Sequence, residues 1–256
     1  MSIKKGIQMW SAHTLAERDL PGTIRKMAGL GYDGIEFAGY YDHPAAELKK
    51  ALDDCGVVCC GSHIGLQIMQ NDLQKTIDFS LELGCPYMIV PWLSEQYRTT
   101  ADDWKRSGEM FNEFGAKIKK AGMTFAYHNH YYGLDMFDGV MGLDLLFSNT
   151  DPALVKMQVD VGNIEMRGTV KAVDFMRRYA SACELVHVKD YPAPDTYKSC
   201  VIGEGAADFP AVITLGKELG VTWYTVEYEV EDDGDALVAN IGRCLEGLRR
   251  AEKTSS

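Results

Sequence analysis

GLGYDGIEF, residues 29–37, reads as the end of a helix, a glycine stop and a short apolar strand. The same order recurs in DDCGVVCCG (53–61), ELGCPYMIV (82–90), KAGMTFAYH (120–128) and ELGVTWYTV (218–226). Glycine adopts the left-handed conformation that closes a helix and turns the chain into a strand. Working outward from these anchors, strands are expected at Gly6–Trp10, Gly34–Phe37, Val57–His63, Tyr87–Pro91, Thr124–His130, Lys156–Val161, Leu185–Lys189 and Trp223–Glu227. Amphipathic stretches lie between them at Leu20–Leu30, Ala45–Cys55, Asn71–Leu83, Ala101–Ala121, Met141–Phe147, Val170–Tyr179, Pro210–Leu219 and Ala236–Arg250. Runs such as Met88-Ile89-Val90 are apolar at consecutive positions, as in a parallel sheet covered on both faces. Eight strand–helix units in 256 residues match a single-domain α/β fold, the (β/α)8 TIM barrel, over 1–256. A doubly wound sheet is the alternative, and the polar end LRRAEKTSS is expected to fray over about 252–256.

Composition bounds the function. Hydrophobic residues make up 46% and charged residues 25%, enough for a sizeable core. A net charge of −11 disfavours any partner held through phosphates, so nucleic acid is not expected. The start MSIKKGIQMWSAHT has no apolar signal core, and no stretch of eighteen apolar residues occurs, so the expectation is a cytoplasmic protein without a membrane partner. Seven scattered cysteines without a CxxC pair are expected to be reduced and mostly buried.

Chemistry in such a barrel sits at the C-terminal ends of the strands. The expected strands end in Gln8 and Trp10, Glu36, His63, Trp92, His128 and His130, Asp160 and Asn163, His187 with Lys189 and Asp190, and Glu227. Four of the six histidines are among them. Imidazoles and carboxylates converging on one rim read as a site for one divalent ion, with His128, Asp160, His187 and Glu227 as ligands from four consecutive strands. His130, two residues on, is the alternative to His128. Lys189 shares the strand face of His187 and can stabilise an enolate or alkoxide, or pair with Asp190, Glu204 or Glu36. His63 is a proton donor or a substrate hydrogen-bonding group. Glu204, between Gly203 and Gly205, repels phosphate and is expected to face substrate or hold its loop. Trp10, Tyr40, Tyr41, Trp92, Tyr131 and Tyr132 cluster beyond the strand ends and suit the faces and hydroxyls of a sugar. The acidic run 229–233 is expected to cap the last helix through Asp233 or Asp235.

GIQMWS, GYDGIEFAGY, GSHIGL, YHNH, VDVGN, HVKD, GEGAADFP and VEYE together resemble the xylose isomerase-like TIM barrels, the sugar phosphate isomerase/epimerase superfamily that also contains endonuclease IV. The resemblance covers essentially the whole chain. It implies one divalent ion, manganese first, with Zn, Co, Fe and Mg as alternatives, held at His128, Asp160, His187 and Glu227. The ketose 3-epimerases of that family carry a glutamate where His128 stands and a substrate-binding histidine where Asn163 stands. The resemblance implies a metal-dependent isomerase or epimerase of carbohydrate metabolism, acting through an enediolate. Glu227 would be the base, His63 or His130 the opposing acid, and Lys189 the support for developing charge. Gln8, Trp10, Glu36, His130, Asn163 and Glu204 are expected to touch the sugar. The alternatives are a lyase or hydrolase of 3-keto-glycosides using the same site, and a non-catalytic sugar-binding barrel. The expected partner is a small sugar, and the sequence leaves the assembly open between a monomer and a homo-oligomer.

Overall fold

The computed structural model describes residues 2–255. Ten strands form in chain order: β1 (Lys5–Gln8), β2 (Gly34–Phe37), β3 (Val58–His63), β4 (Tyr87–Val90), β5 (Thr124–His128), β6 (Met136–Phe137), β7 (Val140–Met141), β8 (Val155–Asp160), β9 (Cys183–Val188) and β10 (Trp223–Val226). Eight of them close into an all-parallel barrel in the order β1-β10-β9-β8-β5-β4-β3-β2. The expected barrel is therefore the observed one. The remaining two, β6 and β7, make an antiparallel hairpin outside it.

The repeated glycines do what the sequence asks of them. Gly31, Gly56, Gly84 and Gly220 each end a helix in the left-handed conformation, with the amide donating back to carbonyls of the last turn. Helices at Leu20–Leu30 and Ala45–Cys55 have the expected bounds. Short helices at His13–Arg18, Leu66–Asn71 and Val161–Glu165 were not anticipated, since five or six residues carry too little periodicity to read. The last helix runs from Gly234 to Thr254, capped by Asp233, which accepts from the Gly234 amide. The tail expected to fray from 252 instead stays helical through Thr254. Glu252 holds it by accepting from the Ile3 amide at 2.8 Å and pairing with Lys5 Nζ at 2.6 Å. All seven cysteines are free thiols, five of them buried.

Two apolar cores flank the strands. The larger lies between barrel and helices, and a smaller one (Cys60, Tyr87, Ile89, Ala126, Leu185, Trp223) fills the barrel floor. Trp223 explains Gly34: a Cβ there would lie 2.8 Å from the indole ring and 2.9 Å from Cys60 Cβ. Two positions along the same strands from Ala126 and Leu185 the interior turns polar at His128 and His187, because side chains alternate with period two. The floor thus sets the height at which the site is built.

Candidate metal centre and active site

His128, Asp160, His187 and Glu227 come from the ends of β5, β8, β9 and β10, and their ligand atoms all lie within 4.8 Å of one another. All four are buried. The pairing register explains the meeting, since Asp160 stands opposite His187 and His187 opposite Thr225, two residues before Glu227. His128 Nε2 is 3.7 Å from Asp160 Oδ2, and His187 Nδ1 is 3.0 Å from Glu227 Oε2. His130 is outside this cluster; its ring stacks on Tyr132 at 5.5 Å and meets Trp92 edge-on.

Asp160 carries the strongest sign of a missing charge. Its Oδ1 caps the helix that follows by accepting from the Asn163 amide at 2.6 Å, while Oδ2 is buried with no partner. Burial pushes its carboxyl up to about 7, against the pull of Lys189. An acceptor oxygen facing two imidazoles and a second carboxylate, and costly to keep charged, is what a divalent cation relieves. Two nitrogens and two oxygens suit manganese, zinc, cobalt or iron. The residues present therefore fit a divalent ion.

Beneath the cluster lies a second polar layer. Glu36 Oε1 is 2.6 Å from His187 Nε2, 2.6 Å from Gln8 Nε2 and 3.1 Å from His63 Nε2, and Glu36 Oε2 accepts from Gln158 Nε2 at 2.6 Å. Gln158 Oε1 lies 2.8 Å from His63 Nε2 and 2.9 Å from His128 Nδ1. Burial opposes the charge on Glu36, yet His187 and His63 hold its carboxyl below the usual range. His187 is pushed up to about 10, because Glu36 and Glu227 outweigh its burial. His128 goes the other way, lowered by burial and by the neighbouring imidazoles. Above the cluster Lys189, 3% exposed, sits 3.7 Å from Glu227 Oε2 and pairs with Glu229. Against its burial, Lys189 and His187 keep Glu227 well below the ordinary carboxylate value.

The cluster opens into a cavity of about 530 Å³ lined by Trp10, His63, Trp92, His130, Glu227 and Glu229 among others. That is within the range of small-molecule sites. Trp10, His63, His130 and Glu227 line the cavity wall. Four expectations of sugar contact need correction. Gln8 and Glu36 lie in the buried layer below, with their polar atoms consumed by each other, by Gln158 and by the imidazoles. Asn163 is 3% exposed; its amide caps onto Asp160 and its side chain donates to the Asn129 carbonyl. Glu204 is on the surface, paired with Arg243 of the last helix at 2.6 Å. Sequence reasoning missed Gln158, Asn129 and Glu229. Gln158 precedes Asp160 by two positions, the inward phase of β8, and that alternation was the signal for it. Asn129 faces the other way but fixes the strand end, its Oδ1 accepting from the Asp160 amide at 2.9 Å.

Residues 24–250 match the xylose isomerase-like TIM barrel family, and the chain belongs to it. The superfamily is one of sugar-processing enzymes. Among curated relatives, the inosose dehydratase of Lacticaseibacillus casei is 27% identical over 246 residues, covering 80% of each chain. The inosose dehydratase of Geobacillus kaustophilus (strain HTA426) is 23% identical over 203 residues, 67% of this chain and 65% of that protein's length. Among solved structures, a sugar phosphate isomerase/epimerase from Parabacteroides distasonis ATCC 8503 superposes with a TM-score of 0.85 at 27% identity, covering 100% of this chain and 96% of that one. The IolI protein with a bound zinc atom shares the fold, with a TM-score of 0.78 at 14% identity over 99% of each chain.

Proposed function

We propose that the protein is a metal-dependent lyase that removes water from a keto sugar or a cyclic polyol ketone. The observation that carries this reading is the four-donor cluster with the orphaned Asp160 Oδ2, opening into a sugar-sized cavity. The inosose dehydratase relatives favour elimination over isomerisation. So does His128: a two-base epimerisation needs a proton acceptor on each face of the reacting carbon, and the first ligand position offers an imidazole in place of a carboxylate.

When bound, a divalent ion supplies a Lewis acid that stabilises negative charge developing on the substrate oxygen. Glu227 takes the proton from the carbon next to the carbonyl at Oε1, the oxygen engaged by neither His187 nor Lys189. The C–H and C–O bonds break, a C=C bond forms, and the proton leaves with the departing hydroxyl as water. His63 and His130 are imidazoles at the cavity wall beside the reacting end. The Lys189 ammonium, fixed by Glu227 and Glu229, offsets charge at the reacting end. Trp10 and Trp92 offer flat faces to the ring of the substrate and shelter it from water.

The test is to load the protein with manganese and incubate it with an inosose and with free ketoses in deuterated water. Elimination yields a product lighter by one water with a conjugated carbonyl chromophore. Deuterium in recovered sugar of unchanged composition would instead establish isomerase or epimerase chemistry and overturn the lyase reading. Binding without either change would leave a sugar-binding barrel.

A further inference from the structure

We propose that Glu36 is a positioning residue that, through Gln158, fixes which nitrogen of His63 and His128 carries the proton, and so aims the lone pair of His128 at the ion seat. The inference rests on the metal-site reading above. A carboxylate only accepts hydrogen bonds. Glu36 Oε2, 2.6 Å from Gln158 Nε2, therefore fixes the orientation of that amide, because a flipped amide would set a carbonyl against the carboxylate. Gln158 Oε1 then faces His128 Nδ1 at 2.9 Å and His63 Nε2 at 2.8 Å, and both nitrogens must donate to it. Glu36 Oε1 takes the Nε2 proton of His187 at 2.6 Å.

A neutral imidazole with one N–H has one lone pair left. For His128 it is on Nε2, directed at Asp160 Oδ2, whereas His187, set between Glu36 and Glu227, donates to both carboxylates. His128, Asp160, His187 and Glu227 are the members of the four-donor cluster. For His63 the lone pair is on Nδ1, which makes the ring at the cavity wall an acceptor there. Gln8 steadies the arrangement: its Oε1 accepts from the Trp10 amide at 3.0 Å, so its Nε2 must face Glu36. An amide at position 36 has a single acceptor oxygen and would present hydrogens to a donor. Glutamate is thus the one common side chain of this length that can accept from all sides. Metal-bound histidines are commonly held in this way by carboxylates or carbonyls beneath them.

His187 stands between two carboxylates, so His128 gives the cleaner readout. The ring ¹⁵N spectrum of chelator-treated protein at neutral pH is expected to show His128 protonated on Nδ1 and bare on Nε2. Gln158→Leu is expected to release that preference, and both Gln158→Leu and Glu36→Gln to raise the Kd for Mn²⁺ roughly 10- to 100-fold. Gln8→Leu, equally buried but donating only to Glu36, should change it by less than about threefold. A wild-type His128 protonated on Nε2 overturns the proposal, as do folded Gln158→Leu and Glu36→Gln proteins that bind Mn²⁺ like wild type. If no elimination is found, the proposal still stands or falls on these readouts, none of which uses turnover. If wild type binds no divalent ion, the metal reading fails and the spectrum alone decides the tautomers.

Discussion

Asp160 divides its work between two oxygens, one capping a helix and one facing the cluster with no partner. Asp160→Asn keeps the capping oxygen and removes the charge. In chelator, the variant is expected to unfold no lower than wild type, since a buried carboxyl pushed up to about 7 adds nothing to stability near neutral pH. Elemental analysis after gel filtration should then find the ion in wild type and under about a tenth of an equivalent in the variant. Retention of the ion by Asp160→Asn would sink the ligand assignment. The four residues of the cluster stood out in the sequence because they are chemically unusual at the ends of apolar strands. Glu36, Gln8 and Asn163 were legible as polar and inward, but their depth was not. One layer along a strand is only two residues, about 6–7 Å, and whether a side chain meets substrate or the layer beneath depends on what its neighbours across the barrel occupy. Of the two roles expected for Glu204, contact with substrate and holding its loop, the pairing with Arg243 agrees with the second; that partner is thirty-nine residues away, and sequence spacing carries no sign of the contact.

At the scale of elements, the last helix is pinned at two places. Gly247 packs against the loop that follows β9 so closely that a Cβ would fall 2.0 Å from the Ile202 carbonyl oxygen. Gly247→Ala is expected to lower stability by about 2–3 kcal/mol, read as a lower urea midpoint with an unchanged slope. A neutral outcome would mean that the helix shifts freely on the barrel. Further along, Glu252 ties the helix to the first strand. Burial opposes its charge, but Lys5, the Ile3 amide and the Ser2 hydroxyl hold its carboxyl below the ordinary value. A depressed carboxyl stabilises the fold above its unfolded value of 4.5 and loses that contribution as pH falls through the native value. Glu252→Gln should therefore cost about 1 kcal/mol at pH 7, and the gap in Tm to wild type should close as the pH drops below 4. A gap that persists at low pH would show packing, not charge, at work. The tail looked prone to fray because its residues are polar, and polarity alone does not reveal a partner on β1. Strand and helix positions were otherwise readable, because Gly stops and apolar runs are local signals. The β6–β7 hairpin was not, since two-residue strands are too short for alternation to register.

At the scale of the whole molecule, eight repeats of one local pattern were enough to specify a closed barrel, because a parallel sheet of eight covered strands has few other ways to bury its edges. The charge of the molecule bears on substrate choice. The cavity wall contains Glu227 and Glu229 and, among the described residues, neither lysine nor arginine. Lys189 is nearby but committed to those two carboxylates. With a net charge of −11 around it, the site is expected to turn over a phosphorylated sugar at least tenfold less efficiently than its free counterpart, and the difference should widen as salt is lowered. Equal kcat/KM for the two would show a cationic subsite that the fold does not suggest.

The chain has four tryptophans, and they fall into two groups. Trp104 and Trp223 are buried, while Trp10 and Trp92 are about half exposed at the cavity wall. A collisional quencher in solution therefore reaches the indoles at the mouth and not the other two. Any molecule that settles over the cluster must lie between the quencher and those indoles, so the protein's own ultraviolet emission reports occupancy without a label, with any substrate and before any chemistry has occurred.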